Sequence, residues 1–253
     1  MTTRPTLVAH RGNAAEFPEN TIPALESAIA AGASWIEIDV QRTGDGRLVL
    51  FHDGDLKRLC NVGGTIHGKS ATDLSMLPCY DPGRFDLRYV HVRIATLAEF
   101  AALMLAHPSV EAFVEIKHEA FIGCSHAQVL EEVDAALAEV RDRCVLISFA
   151  LDFLERARTA SEFRLGAVAE KWHEFEDPII RRIAPEFFFC NVRGLPPDEF
   201  VRHRDFPSAR IAVWEINDPG IALSLGARGI HLVETFEIAT MLRSLPTFDA
   251  PVG

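Results

Sequence analysis

Two carboxylates, Glu37 and Asp39, interrupt the apolar run Trp35-Ile36-Glu37-Ile38-Asp39-Val40. In a strand, a spacing of two places both side chains on one face. Two like charges in an apolar strand are costly unless they are paired or hold a metal ion. The spacing recurs in Glu115-Ile116-Lys117, where the second position is cationic. His10-Arg11 closes the run Leu7-Val8-Ala9, and His52-Asp53 closes Leu48 to Phe51. An imidazole beside carboxylates can exchange protons near neutral pH or ligate a metal, and Asp53 could orient the His52 ring or cap the turn. Trp214 and Asn217 end a further apolar run. Each item has a plainer reading when taken alone. Glu37/Asp39 could be a salt-bridged rim pair, Glu115/Lys117 a structural ion pair, His10-Arg11 a capped strand end, and Trp214 a core residue.

These residues need elements to hold them. Strand candidates are Leu7 to Ala9, Trp35 to Val40, Leu48 to Phe51, Ala112 to Ile116 and Cys144 to Phe149, followed by Leu165 to Ala169, Glu186 to Val192, Ile211 to Ile216 and Gly229 to Val233. Amphipathic segments lie between most of them. One starts at the capping residues Asn20-Thr21 and stops at Gly32, and another covers Ala127 to Val140. Such alternation predicts a parallel sheet. The turn signal Thr43-Gly44-Asp45-Gly46 should fold Leu48 to Phe51 back antiparallel onto Trp35 to Val40, with His52 opposite Glu37 to Asp39. Removing that hairpin arm leaves the strand count of a (β/α)₈ TIM barrel. A doubly wound open sheet is the alternative, but no G-x-G-x-x-G follows the first strand. The polar residues then gather at the C-terminal strand ends, where barrel sites are built. Gly63 to Pro82 reads as an irregular excursion before a helix near Leu97 to Leu105.

The chain has 253 residues, 48% hydrophobic and 24% charged, with a formal net charge of -11. At this mass roughly 70–75% of the unfolded surface becomes buried, enough for a sizeable core. The acidic balance argues against general nucleic-acid binding and against anionic membranes. It would also repel a small anionic substrate unless the site reverses the local field. Met1 to Thr6 is short and polar, with no leader-like apolar core, and no apolar stretch is long enough to insert stably in a membrane. Cys60, Cys79, Cys124, Cys144 and Cys190 are odd in number and lack C-x-x-C spacing, which fits buried thiols in a reducing cytoplasm. The remaining histidines, from His67 to His231, show no ligand spacing and read as surface or loop residues. With no linker or repeat, 1–253 is expected to be one domain. No residue pattern speaks to oligomeric state.

Taken in order, His10-Arg11-Gly12, Pro18-Glu19-Asn20-Thr21, Glu37-Ile38-Asp39-Val40, Thr43 to Gly46, His52-Asp53 and Val114-Glu115-Ile116-Lys117 resemble the glycerophosphodiester phosphodiesterase family. Weaker echoes occur at Ser148-Phe149 and Val213 to Asn217. The resemblance implies a metal-dependent TIM-barrel enzyme, needing Mg²⁺ or Ca²⁺. It would cleave small glycerophosphodiesters such as glycerophosphocholine or glycerophosphoethanolamine to glycerol 3-phosphate and an alcohol. It also implies that the segment of about 55–96 is the family insertion, which closes over the site. By resemblance, Glu37, Asp39 and Glu115 are the metal ligands, His10 and His52 the acid–base pair, and Arg11 and Lys117 the phosphate clamp. Trp214 would touch substrate, with Asp53 and Asn217 in support. Two positions depart from the family pattern. Glu215 stands where a threonine is usual, and Leu232-Val233-Glu234-Thr235 replaces an Ile-Thr-Asp sequence. Both fall on the closing strands and point to a different leaving-group pocket. A related phospholipase D-like enzyme acting on intact lipid would need a membrane-facing rim. A non-catalytic phosphodiester-binding protein would not need two histidines.

Overall fold

The hairpin at Thr43 lays one strand back on another and carries His52 to the barrel mouth. In the computed structural model, which describes residues 4–197 and 200–245, the Thr43 hydroxyl accepts from the Arg47 N–H at 2.8 Å and donates to Asp45 at 2.6 Å. Gly46 turns with φ +84°, a value glycine adopts without steric penalty. The nine strands are β1 (Thr6–His10), β2 (Trp35–Arg42), β3 (Leu48–Leu50), β4 (Glu111–Ile116), β5 (Cys144–Ser148), β6 (Arg164–Ala169), β7 (Phe187–Asn191), β8 (Arg210–Trp214) and β9 (Leu232–Thr235). Val40 pairs with Leu50, Gln41 with Val49 and Arg42 with Leu48, so β3 runs antiparallel to β2. His52 leaves the ladder just beyond the last backbone bond, Phe51 N–H to Asp39 C=O at 2.9 Å.

Every other pairing is parallel. The order β1-β9-β8-β7-β6-β5-β4-β2 closes through β1–β2, giving an eight-stranded TIM barrel with β3 outside the ring. Helices fill the crossovers. Ile22–Ala30 follows the Thr21 cap and ends before Gly32, and His126–Leu137 follows a Ser125 cap. The excursion after β3 contains three short helical turns, Lys57–Cys60, Ala71–Ser75 and Pro82–Phe85, before Leu97–Ala106 begins at a Thr96/Glu99 capping box. The last strand starts later than its apolar pattern predicts, at Leu232 rather than Gly229.

Inward-facing side chains fill the barrel in layers, as the fold requires. Trp35 stacks on Phe113 with centroids 4.4 Å apart, and Phe113 meets Phe187 and Phe189 edge-on at 5.0 and 4.7 Å. This aromatic plug excludes water from the lower barrel and forms the floor beneath the charged mouth. A second apolar layer lies between the strands and the helices, including Leu25, Leu130 and Leu154. All five cysteines are free, and four are buried. No helix among the described residues is long and apolar enough to cross a membrane.

Candidate active site

Above the aromatic floor, His10, Glu115 and Glu234 stand at the C-terminal ends of β1, β4 and β9, and Glu37, within β2, lies level with His10. All but Glu37 line one cavity of about 350 Å³, together with Arg11, His52 and Lys117. The chain bends sharply after β1 to reach it. Arg11 has φ +56°, its N–H donates to the Glu37 carbonyl at 3.0 Å, and Gly12 follows at φ +85°. A Cβ on Gly12 would lie 2.7 Å from the Ala24 backbone, so no larger residue fits there. Asn20, also in the left-handed region, returns the chain beneath the mouth. Its amide donates to Asp39 Oδ2 at 2.8 Å, and its own oxygen accepts from the Asp39 N–H at 3.1 Å.

The predicted residues divide by what they touch. Arg11 Nε lies 3.0 Å from Asp39, and Nη1 donates to Glu19 at 3.0 Å. Lys117 Nζ is 2.9 Å from Glu115 and 3.4 Å from Asp39. Burial opposes ionisation of Asp39, but these two cations outweigh it and hold its carboxyl well below the usual range. Glu37 goes the other way. Burial, reinforced by Asp39, Glu234 and Glu115, raises it well above an ordinary glutamate. Burial and Asp39 raise Glu115 as well, against the pull of Lys117. His10, buried and beside Arg11, is held well below the usual imidazole value. Its ring stacks on Phe236 with centroids 4.7 Å apart, and Nδ1 faces Glu215 at 3.4 Å.

Glu37, Asp39 and Glu115 each offer an oxygen, and these oxygens lie within 4.8 Å of one another. Glu37 Oε1 and Asp39 Oδ1 are buried without a hydrogen-bond partner. An all-oxygen donor set with unsatisfied buried lone pairs fits a hard divalent cation. A second group, Glu19, His52 and Asp53, is equally close together, but an arginine already neutralises its carboxylates. Arg58 donates to both oxygens of Glu19 at 2.7 and 2.9 Å, and to both of Asp53 at 2.7 Å.

Asp53 in turn meets His52 Nδ1 at 3.0 Å, and Gln41 donates to the carbonyls of Phe51, His52 and Asp53, fixing the path of that segment. Trp214 lines the cavity and packs edge-on against Phe149 at 6.0 Å. Asn217 lies outside the cavity lining. Its Oδ1 accepts from Thr235 and from the Phe236 N–H, tying the ends of β8 and β9 beneath His10. None of the other described histidines lines this cavity. The pattern of charged strand ends did not single out Gln41, Arg58, Glu170 or Phe236. Arg58 sits in the excursion, and Glu170 comes one residue after β6. Inward alternation from Leu232 would have found Glu234 had the start of β9 been placed correctly.

A closed parallel barrel with acidic, basic and imidazole groups converging at its C-terminal mouth defines a TIM-barrel enzyme-type site. Residues 10–231 match the glycerophosphoryl diester phosphodiesterase family, and the chain belongs to that family. A Mycobacterium tuberculosis protein called "Probable glycerophosphodiester phosphodiesterase 1" is 32% identical over 167 residues, covering 62% of this chain and 61% of that protein. The match thus spans less than two thirds of that relative's length. A glycerophosphodiester phosphodiesterase from Caldanaerobacter subterraneus is 38% identical over 99 residues, covering 39% of this chain and 40% of that protein. Among solved structures, an Oleispira antarctica phosphodiesterase in complex with the product sn-glycerol-3-phosphate shares the fold. Its TM-score is 0.80 at 22% identity, over 94% of this chain and 96% of that one.

Proposed function

We propose that this protein hydrolyses small glycerophosphodiesters to glycerol 3-phosphate and an alcohol, with a divalent cation, Mg²⁺ or Ca²⁺, held by Glu37, Asp39 and Glu115. The observation that carries this reading is the convergence of His10, His52, Arg11, Lys117 and Glu115 on one cavity, directly above Glu37 and Asp39. Family membership and the product complex of the Oleispira relative support it.

The bound cation would polarise a phosphoryl oxygen and offset the charge that develops on it. The protein's own groups supply the rest. Arg11 presents a planar fork to phosphate oxygens and Lys117 a point charge. Both are already held in place by Asp39, so little ordering remains when substrate binds. His52 shares its Nδ1 hydrogen with Asp53, which leaves Nε2 to exchange a proton with substrate. One imidazole accepts the proton of the attacking hydroxyl, from water or from the substrate's own glycerol, and the other protonates the departing alcohol. Arg58 and Gln41 keep the His52 segment from drifting, and Phe236 fixes the plane of the His10 ring. We read 1–253 as one domain, a reading supported by the closure of the described strands into a single ring.

The test is a product assay. Purified protein with Mg²⁺ or Ca²⁺ should release glycerol 3-phosphate from at least one of a panel of glycerophosphodiesters, and a chelator should abolish release. No product from any head group overturns the reading.

A further inference from the structure

The two departures from the family pattern, Glu215 and Glu234, line the same cavity as Trp214. We propose that the β6–β8–β9 side of the mouth binds an ammonium group on the alcohol half of the substrate, through Glu215 and Glu170 with Trp214 beside them, so that amino-alcohol diesters are preferred over uncharged ones. The inference rests on the hydrolytic reading above and names the substrate class within it.

The charges are distributed unevenly around the cavity. Glu115 is spoken for by Lys117. Glu215 meets only the imidazole of His10, at 3.4 Å, and Glu170 accepts only an amide hydrogen bond, from Asn191 at 3.0 Å. Neither has an arginine or lysine ion-pair partner among the described residues. Glu234 is a separate sign of an absent cationic partner. It is 3% exposed, it lines the cavity, and its Oε1 has no hydrogen-bond partner. A buried carboxylate oxygen left unmatched is costly in a native protein and signals a ligand.

The third observation is aromatic. Trp214 and Phe149 meet edge-on at 79°, making a corner on the cavity wall. An indole face attracts primary and quaternary ammonium groups alike, whereas a carboxylate favours the primary one through N–H donation. Arg11 and Lys117 line the same cavity; they attract phosphate and repel an ammonium, so an ammonium is favoured at the carboxylates that neither cation pairs. A diester with phosphate at one end and an ammonium two carbons beyond its ester oxygen therefore finds groups of opposite sign for both charges in one cavity.

A charge-assisted hydrogen bond usually carries about 10- to 100-fold in affinity. The experiment compares kcat/KM for glycerophosphoethanolamine and glycerophosphoglycerol in the wild type, Glu215→Gln, Glu170→Gln and the double variant, each checked for folding by circular dichroism and thermal melting. The expected ratio is about tenfold or more in favour of the ethanolamine diester in the wild type, collapsing toward unity in the double variant. Should Glu215→Gln fail to fold, Glu170→Gln carries the comparison, with an expected partial collapse. Equal turnover of both diesters by the wild type, or a ratio that survives the double substitution, overturns the inference and leaves the hydrolase intact. No turnover of either diester or of any other head group overturns both.

Discussion

On the arc of the mouth formed by β1, β2 and β4, acidic groups sit beside cations. Asp39 lies against Arg11 and Lys117, Glu115 against Lys117, and Glu19 against Arg11 and Arg58. On the arc formed by β6, β8 and β9, Glu170, Glu215 and Glu234 meet no arginine or lysine among the described residues. The same residue type thus does two jobs. On the first arc the carboxylates preorganise cations for an anionic group and leave lone pairs for a metal. On the second, in the inference drawn above, they are left for a substrate cation to pair with. Two unit charges about 4 Å apart at a protein surface interact by roughly 4 kcal/mol, so an unpaired half-buried carboxylate is a sizeable feature. The comparison also resolves the net charge of -11. On the proposed reading, an acidic protein would admit a phosphodiester because Asp39, Glu115 and Glu19 are already matched by cations and a metal would match Glu37.

The comparison can be broken most severely at the imidazoles, His10 on β1 next to β9 and His52 just beyond β3. His10→Ala and His52→Ala should each lower kcat by about 10²–10⁴-fold while circular dichroism stays unchanged. A near-normal rate in either variant would remove that histidine from the chemistry. Next comes the first arc alone. Glu37→Gln should weaken divalent-metal affinity, read by calorimetric titration, by at least the roughly 10–100-fold that follows disturbance of a metal's surroundings. Unchanged affinity would take Glu37 out of the ligand set.

The smallest effect belongs to the brace behind that arc. Arg58→Met should cost about 2–3 kcal/mol in urea unfolding near pH 7. That is less than the roughly 3–5 kcal/mol of a fully buried pair, because the Arg58 side chain is 40% exposed. The pH dependence has a definite sign. Burial opposes ionisation of Glu19 and Asp53, yet hydrogen bonds from Arg58, joined at Asp53 by His52, hold both carboxyls below their ordinary values. A depressed carboxylate stabilises the fold fully above its unfolded pKa, about 4, and that stabilisation is lost as pH falls through the folded value. The gap between wild type and Arg58→Met should therefore be widest near neutrality and shrink progressively as pH falls below about 4. A gap that stays constant in acid would mean that Arg58 acts through packing alone.

How much of this was legible in the chain follows from how local each signal is. The ring of strands and its extra arm were readable because Thr43 to Gly46 has a turn chemistry of its own, and because apolar runs alternate with capped helices. Glu37, Asp39 and Glu115 stood out as charges within apolar strands, and the structure brings their oxygens together. Arg58 gave no comparable signal. Its importance depends on a short helix folding back over Glu19 and Asp53, a long-range contact with no periodicity to betray it. Glu234 was marked as a departure from the family pattern, but its place in the cavity lining was not legible. The apolar run Gly229 to Val233 suggests a strand that ends before it, whereas the ladder to β1 begins at Leu232 and carries Glu234 inward. Asn217 was found by its position at a strand end, but its bonds to Thr235 and Phe236 make it a tie between strands.

The most direct test of the central claim is phosphorus NMR of glycerophosphoethanolamine incubated with the purified protein, with Mg²⁺ or Ca²⁺ and then with excess chelator. The account predicts a glycerol 3-phosphate resonance that grows with metal present and stops on chelation. Growth that continues unchanged in chelator, or no product from this or any other glycerophosphodiester, would contradict it.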